Sequence, residues 1–135
     1  NRQHNDIRVE NGINYGDVIS GVDFNYAAKL TAVNVISLAT IASSPKPPEN
    51  LKIGGIVEPS VKFRWDHPDD DSISGYKIYW RETTSSTWDN SRLVDKLNNY
   101  TLDGIVIDNF IFGISTVNSK GFESLVSFPK GTFRD

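Results

Sequence analysis

Residues 60–66 read Ser60-Val61-Lys62-Phe63-Arg64-Trp65-Asp66: apolar side chains at Val61, Phe63 and Trp65 alternate with charged ones at Lys62 and Arg64. A period of two marks a strand with one face buried and the other in water. Pro68 and the run Asp69-Asp70-Asp71 supply a turn, and Ile73 to Arg81 resumes the alternation. There Tyr76, Ile78 and Trp80 share one face and Tyr79 takes the other. Working outward, a strand is predicted at about Glu49 to Ile56 ahead of this pair. Others follow at Leu93-Val94, Tyr100 to Leu102, Val106 to Val117 and Phe122 to Phe128. The sixth of the set places Phe110, Phe112, Ile114 and Thr116 together. Seven short strands broken by turn residues predict an antiparallel sandwich over 49–129.

The first 43 residues obey another period. Asp23 is a candidate N-cap, and a helix is predicted over about 23–42. Phe24, Tyr26, Leu30, Val33, Val35, Ile36, Leu38 and Ile41 cover more than half its surface, and Lys29, Asn34, Ser37 and Thr40 form a narrow polar strip. A helix apolar around most of its circumference is normally buried on several sides. Lys29, Asn34 and two threonines argue against a membrane span. The sandwich offers few places to bury such a helix, so the expected partner is a larger domain; in this chain alone the helix is expected to be covered by self-association or by folding against the sandwich. Ahead of the helix, Gly12, Gly16 and Gly21 suggest a surface loop with several turns. Between helix and sandwich, Pro45, Pro47 and Pro48 predict an extended hinge over 44–48.

Composition narrows the function. The chain has 135 residues, a net charge of -3 and no Cys or Met. Without Cys there are no disulfides, no thiolate zinc site and no Cys nucleophile. No basic stripe is present, so nucleic acid is not an expected partner. The start with Asn1 and the lack of Met suggest a processed or engineered end, and no signal peptide is visible.

Pro47-Pro48, Trp65, Gly75-Tyr76, Leu102 and Asn118-Ser119-Lys120-Gly121 together resemble the fibronectin type III family. The resemblance covers about Lys46 to Pro129 and implies a module without chemistry of its own. One position departs from the pattern. Phe110 stands where the family usually has a Tyr whose hydroxyl bonds back to the chain, implying a loss of about 1 kcal/mol.

The leading segment carries a second resemblance. Arg2-Gln3-His4-Asn5-Asp6, Asn11-Gly12, Tyr15-Gly16-Asp17 and Val22-Asp23-Phe24 look like the end of the catalytic domain of bacterial zinc aminopeptidases with two co-catalytic metals. Some of these enzymes carry a fibronectin-like domain directly after a terminal apolar helix. The resemblance implies that His4 is the last zinc ligand and that residues 1–43 are a remnant of the peptidase domain. The other ligands and the general-base Glu would precede Asn1. The fragment alone is then expected to be inactive and to hold no zinc, while the parent uses zinc to hydrolyse peptides. The implied partners are the upstream peptidase domain and, in the parent, a peptide substrate. The implied location is secreted, periplasmic or at a bacterial cell surface. The alternative is a non-catalytic fibronectin-like module that binds protein or glycan at a bacterial surface.

The remaining candidates have plainer readings. His67, beside Pro68, reads as a surface turn residue. Asp69-Asp70-Asp71 lacks the spaced oxygens and Gly of an EF-hand and reads as a solvated turn. Asp6, Glu10, Asp17 and Asp23 are candidates to orient the His4 ring, with nothing to choose among them. Trp80 is predicted to enter the core, and Trp88 to cover a sheet edge or pack beside Arg92, with an aromatic platform for sugar or peptide as the rival. Asn99-Tyr100-Thr101 is a glycosylation sequon, expected to stay bare in a bacterium. No Ser-His-Asp arrangement and no phosphate-cradling glycine loop is supported.

Overall fold

The computed structural model describes residues 6–134, and these divide into two compact units between Ala39 and Thr40. In the first unit, β1 (Arg8–Glu10) and β2 (Ile13–Tyr15) form an antiparallel hairpin where only a loop was expected. Asn11 and Gly12 turn it with φ of 51° and 77°, the two positive values of the tightest hairpin turn. Helix α1 spans Phe24–Ser43 and ends in the second unit. The Asp23 carboxylate accepts the Tyr26 amide at 3.0 Å, so the predicted cap is real. No residue of α1 is buried.

The second unit is the sandwich. Its strands are β3 (Glu49–Gly54), β4 (Ser60–Asp66), β5 (Ile73–Glu82), β6 (Asn90–Asp95), β7 (Asn99–Asp103), β8 (Phe110–Asn118) and β9 (Gly131–Thr132). One sheet has the order β7-β4-β3-β9 and the other β6-β5-β8. Leu51, Ile53, Val61, Phe63, Trp65, Ile73, Tyr76, Ile78, Val94, Leu102, Phe112 and Ile114 form the core between them. The alternation read in residues 60–66 holds: Val61, Phe63 and Trp65 are buried, and Arg64 is exposed. Phe63 meets Phe112 edge-on across the sheets, with ring centroids 5.5 Å apart. Trp80 and Phe110 are half-buried and pack against the core.

Two details depart from the sequence reading. The segment 122–128 is not a regular strand. It pairs with β8 at Val117–Glu123 and Ile114–Ser127, with one extra residue on its own side in between. That bulge sits over Gly113, where an added Cβ would lie 2.3 Å from the Val126 side chain. The chain then crosses to the other sheet, where β9 pairs parallel with β3, Lys52 opposite Gly131 and Ile53 opposite Thr132. Nothing in the period of residues 130–134 announces this pairing.

Residues 44–48 are also not a free hinge. Pro45 and Pro48 are buried. The Lys46 carbonyl accepts the Thr116 hydroxyl at 2.7 Å, and the Pro48 carbonyl accepts the Ser127 hydroxyl at 2.8 Å. The Lys46 amide donates to Asp70 at 3.1 Å. Proline removes backbone donors, so apart from the Lys46 amide it is the carbonyls of this strap that the sandwich holds.

Candidate functional site

His4 and its neighbour Asn5 lie outside the described residues. His67 is exposed, but its Nδ1 is hydrogen-bonded to the hydroxyl of Tyr76, a fully buried side chain. It therefore terminates a core tyrosine rather than idling in a turn. Burial holds the Tyr76 hydroxyl above its usual pKa. Of the acidic run, Asp70 accepts the Ser72 and Lys46 amides at 2.9 and 3.1 Å. Hydrogen bonds from Ser72, then Lys46, hold its carboxyl below the usual value. Its job is to close a turn and pin the strap. Among the described residues, no group of three or more His, Cys, Asp or Glu side chains is placed to hold a metal ion. The residues described here therefore do not fit a zinc centre.

Asn118 organises the turn that closes β8. Its Oδ1 accepts the amides of Lys120 and Phe122, both at 3.0 Å, and its Nδ2 donates to the Ser43 carbonyl at 3.1 Å. Gly121 completes the turn with φ of 84°, a region that favours glycine. The Asn-x-x-Gly signature is thus a folding device: one carboxamide satisfies a tight turn and ties down the end of α1.

The outer face of the β6-β5-β8 sheet gathers polar and aromatic groups. Glu123 accepts a hydrogen bond from the Tyr79 hydroxyl, and Lys77 Nζ lies 2.9 Å from it. Burial works against the Glu123 charge, but bonds from Tyr79 and Lys77 prevail and lower its pKa. Tyr79 is raised by burial and then by Glu123, and Lys77 by its bond to Glu123. Beside them Trp88 sits between Tyr79 and Phe128, with centroids 5.5 and 5.8 Å away, and the Arg81 guanidinium lies 5.6 Å from its ring. Trp88 thus covers the sheet face at Gly113. It does not pack beside Arg92, which instead donates to the Tyr100 hydroxyl at 3.2 Å. Arg81 supplies the cation because Arg81 and Tyr79 leave the same face of β5, two residues apart.

Helix α1 is exposed along its length. Phe24, Tyr26, Leu30, Val33, Val35, Ile36, Leu38 and Ile41 are each at least 50% exposed. Full burial of one such side chain is worth about 1.5–3 kcal/mol. Contiguous exposed apolar surface of this kind is uncommon on soluble monomers. By length and composition alone it would also suit a membrane.

Two packed sheets, antiparallel except for the short parallel β3–β9 pair, define an immunoglobulin-like sandwich. Within that class the chain belongs to the fibronectin type III family: residues 46–129 match the fibronectin type III domain. Among solved structures it is similar to an Fn3-like protein from Clostridium thermocellum, with TM-score 0.53 and 16% identity, covering 69% of this chain and 99% of that one. It is also similar to the fn3 domain of human collagen alpha-1(XX), with TM-score 0.51 and 18% identity, covering 69% and 90%. Among curated proteins it is similar to a probable zinc metalloprotease of Pyrenophora teres f. teres, 36% identical over 128 residues, covering 94% of this chain and 26% of that protein. A probable zinc metalloprotease of Phaeosphaeria nodorum is 32% identical over 139 residues, covering 99% of this chain and 28% of that protein. These relatives are fungal. The chain spans between about a quarter and a third of the length of the relatives it matches.

Proposed function

We propose that this chain is the C-terminal part of a secreted zinc-dependent aminopeptidase. In this reading residues 1–43 close the catalytic domain, and the sandwich is its accessory domain. The observation that carries the proposal is the reach of the similarity. The fibronectin match stops short of the leading segment, yet the similarity to the Phaeosphaeria nodorum protein covers 99% of the chain, α1 included. The helix and the sandwich travel together in proteins named for zinc proteolysis. The wet apolar surface of α1 supports the same reading, because a catalytic domain is what would cover it. The fungal relatives favour a fungal source over the bacterial one expected from sequence. Zinc belongs to the parent, with His4 as one ligand. The partners are the upstream peptidase domain and its peptide substrate, without nucleic acid and without a membrane span.

The test uses the full-length parent. Purified protein should contain zinc and cleave aminoacyl chromogenic substrates but not the same substrates with a blocked amino terminus. Chelation should abolish this, and His4→Ala should lower turnover by at least about 100-fold and leave less zinc bound per chain. Equal cleavage of blocked and free substrates would refute the aminopeptidase assignment, and unchanged zinc in the variant would refute the ligand.

The rival reading, a non-catalytic module that binds protein or glycan, draws on Trp88 and Phe128 at the outer sheet face. It predicts that Trp88→Ala abolishes ligand binding while a parent without zinc remains fully functional. A parent that requires zinc for its activity discriminates against it.

A further inference from the structure

Asn99-Tyr100-Thr101 is the only Asn-x-Ser/Thr sequence in the chain, and the function proposed above makes no use of it. The structure gives it a context. Asn99 and Thr101 are both exposed, on β7, the outermost strand of the β7-β4-β3-β9 sheet. Arg64, opposite Asn99 in the register, is also exposed. Among the described residues the Asn99 carboxamide bonds to the neighbouring exposed Asn98, Nδ2 to Oδ1 at 2.9 Å. Beside it lies an open recess of about 580 Å³ lined by Asn50, Lys52, Arg64, Asp66 and Phe133. Its walls are mostly polar, with Trp65 and Phe133 as their aromatic members, and the Arg64 guanidinium sits 4.2 Å from the Phe133 centroid. Hydrogen-bonding side chains beside an aromatic face are what a sugar requires of a protein surface.

We propose that Asn99 carries an N-linked glycan whose first sugars lie over this polar recess. The inference rests on the secreted, fungal reading of the parent, because only that route exposes the chain to the transferring machinery. The Asn99 side-chain nitrogen forms a bond to the anomeric carbon of a lipid-diphosphate-linked oligosaccharide. The sugar's C–O bond to the diphosphate breaks, the lipid diphosphate leaves, and the amide gives up one proton to base. Thr101, two residues on, supplies the hydroxyl that the acceptor sequence requires. The glycan also has a physical use. β7 presents an unpaired strand edge, and unpaired edges invite pairing with other chains. A bulky, hydrated group at Asn99 blocks such an approach.

The chain should be driven through the secretory pathway of a fungal host behind a heterologous leader, then treated with an endoglycosidase that releases N-glycans. The expected result is a single discrete mass shift, lost in Asn99→Gln and in Thr101→Ala and retained in Thr101→Ser. Absence of a shift in the secreted wild-type chain, or its persistence in Asn99→Gln, would overturn the proposal. Because the leader forces secretion, this outcome is independent of where the parent resides. Fractionating the organism of origin tests that separately: a parent confined to the cytosol refutes secretion while the forced-secretion result still judges Asn99 as an acceptor.

Discussion

Removing the Asn118 carboxamide would strand two turn amides and the Ser43 carbonyl. A partly buried group that loses its bond costs about 1–3 kcal/mol, so Asn118→Ala is expected to lower unfolding stability by about 2–3 kcal/mol. Denaturant titration of the chain checks this, and a loss below about 0.5 kcal/mol would show the turn to be held by backbone alone. Glu123 makes a pH-dependent contribution. Its folded pKa is lowered, so its stabilisation is present above the unfolded value and fades as pH falls through the folded one. Tyr79 and Lys77 are raised, so their contributions are complete below their unfolded values and fade as alkaline pH passes the folded ones. Stability should therefore plateau between the carboxylate and phenol ranges. Glu123→Gln should flatten the acid limb by less than about 1 kcal/mol, since the cluster is partly in water. An acid limb of unchanged slope would assign the pH dependence to other carboxylates. The roles of both residues were only half legible. The Asn-x-x-Gly turn is a local signal, but that its side chain reaches Ser43 follows from bringing residues 43 and 118 together.

At the scale of elements, α1 and the strap behave differently from their neighbours. A helix with eight large apolar side chains at least half exposed should associate when nothing covers it. Sedimentation of the chain should show concentration-dependent self-association, and Leu30→Glu with Leu38→Glu should return it to monomer. A wild-type chain that stays monomeric while α1 remains helical by circular dichroism would remove the need for a partner. The existence of α1 was readable because Asp23 and the 3.6-residue period are local. What it packs against was not. The hairpin at Asn11-Gly12 was signalled by its turn residues and overlooked because its strands are three residues each and carry no buried face. The proline-rich stretch reads as a hinge by composition, yet hydrogen bonds from Thr116 and Ser127 hold it. Proline content reports backbone stiffness and missing donors, not whether a segment is docked.

Over the whole chain, the sandwich buries a core between its own sheets, whereas α1 buries no residue. Alternation in Ser60–Asp66 and Ile73–Glu82, with the turn residues between, dictated strands, faces and most of the core, because burying one face of a strand demands a period of two. The capping Asp23 and the apolar stripe dictated a helix in the same local way. Tertiary structure alone decided the crossing of residues 130–133 to the edge of β3, the bulge over Gly113, the placing of Trp88 between Tyr79 and Phe128, and the docking of the strap. Each of these joins residues far apart in the chain. Local period and propensity carry no record of which distant group will stand opposite; only the packed sheets bring the two within reach.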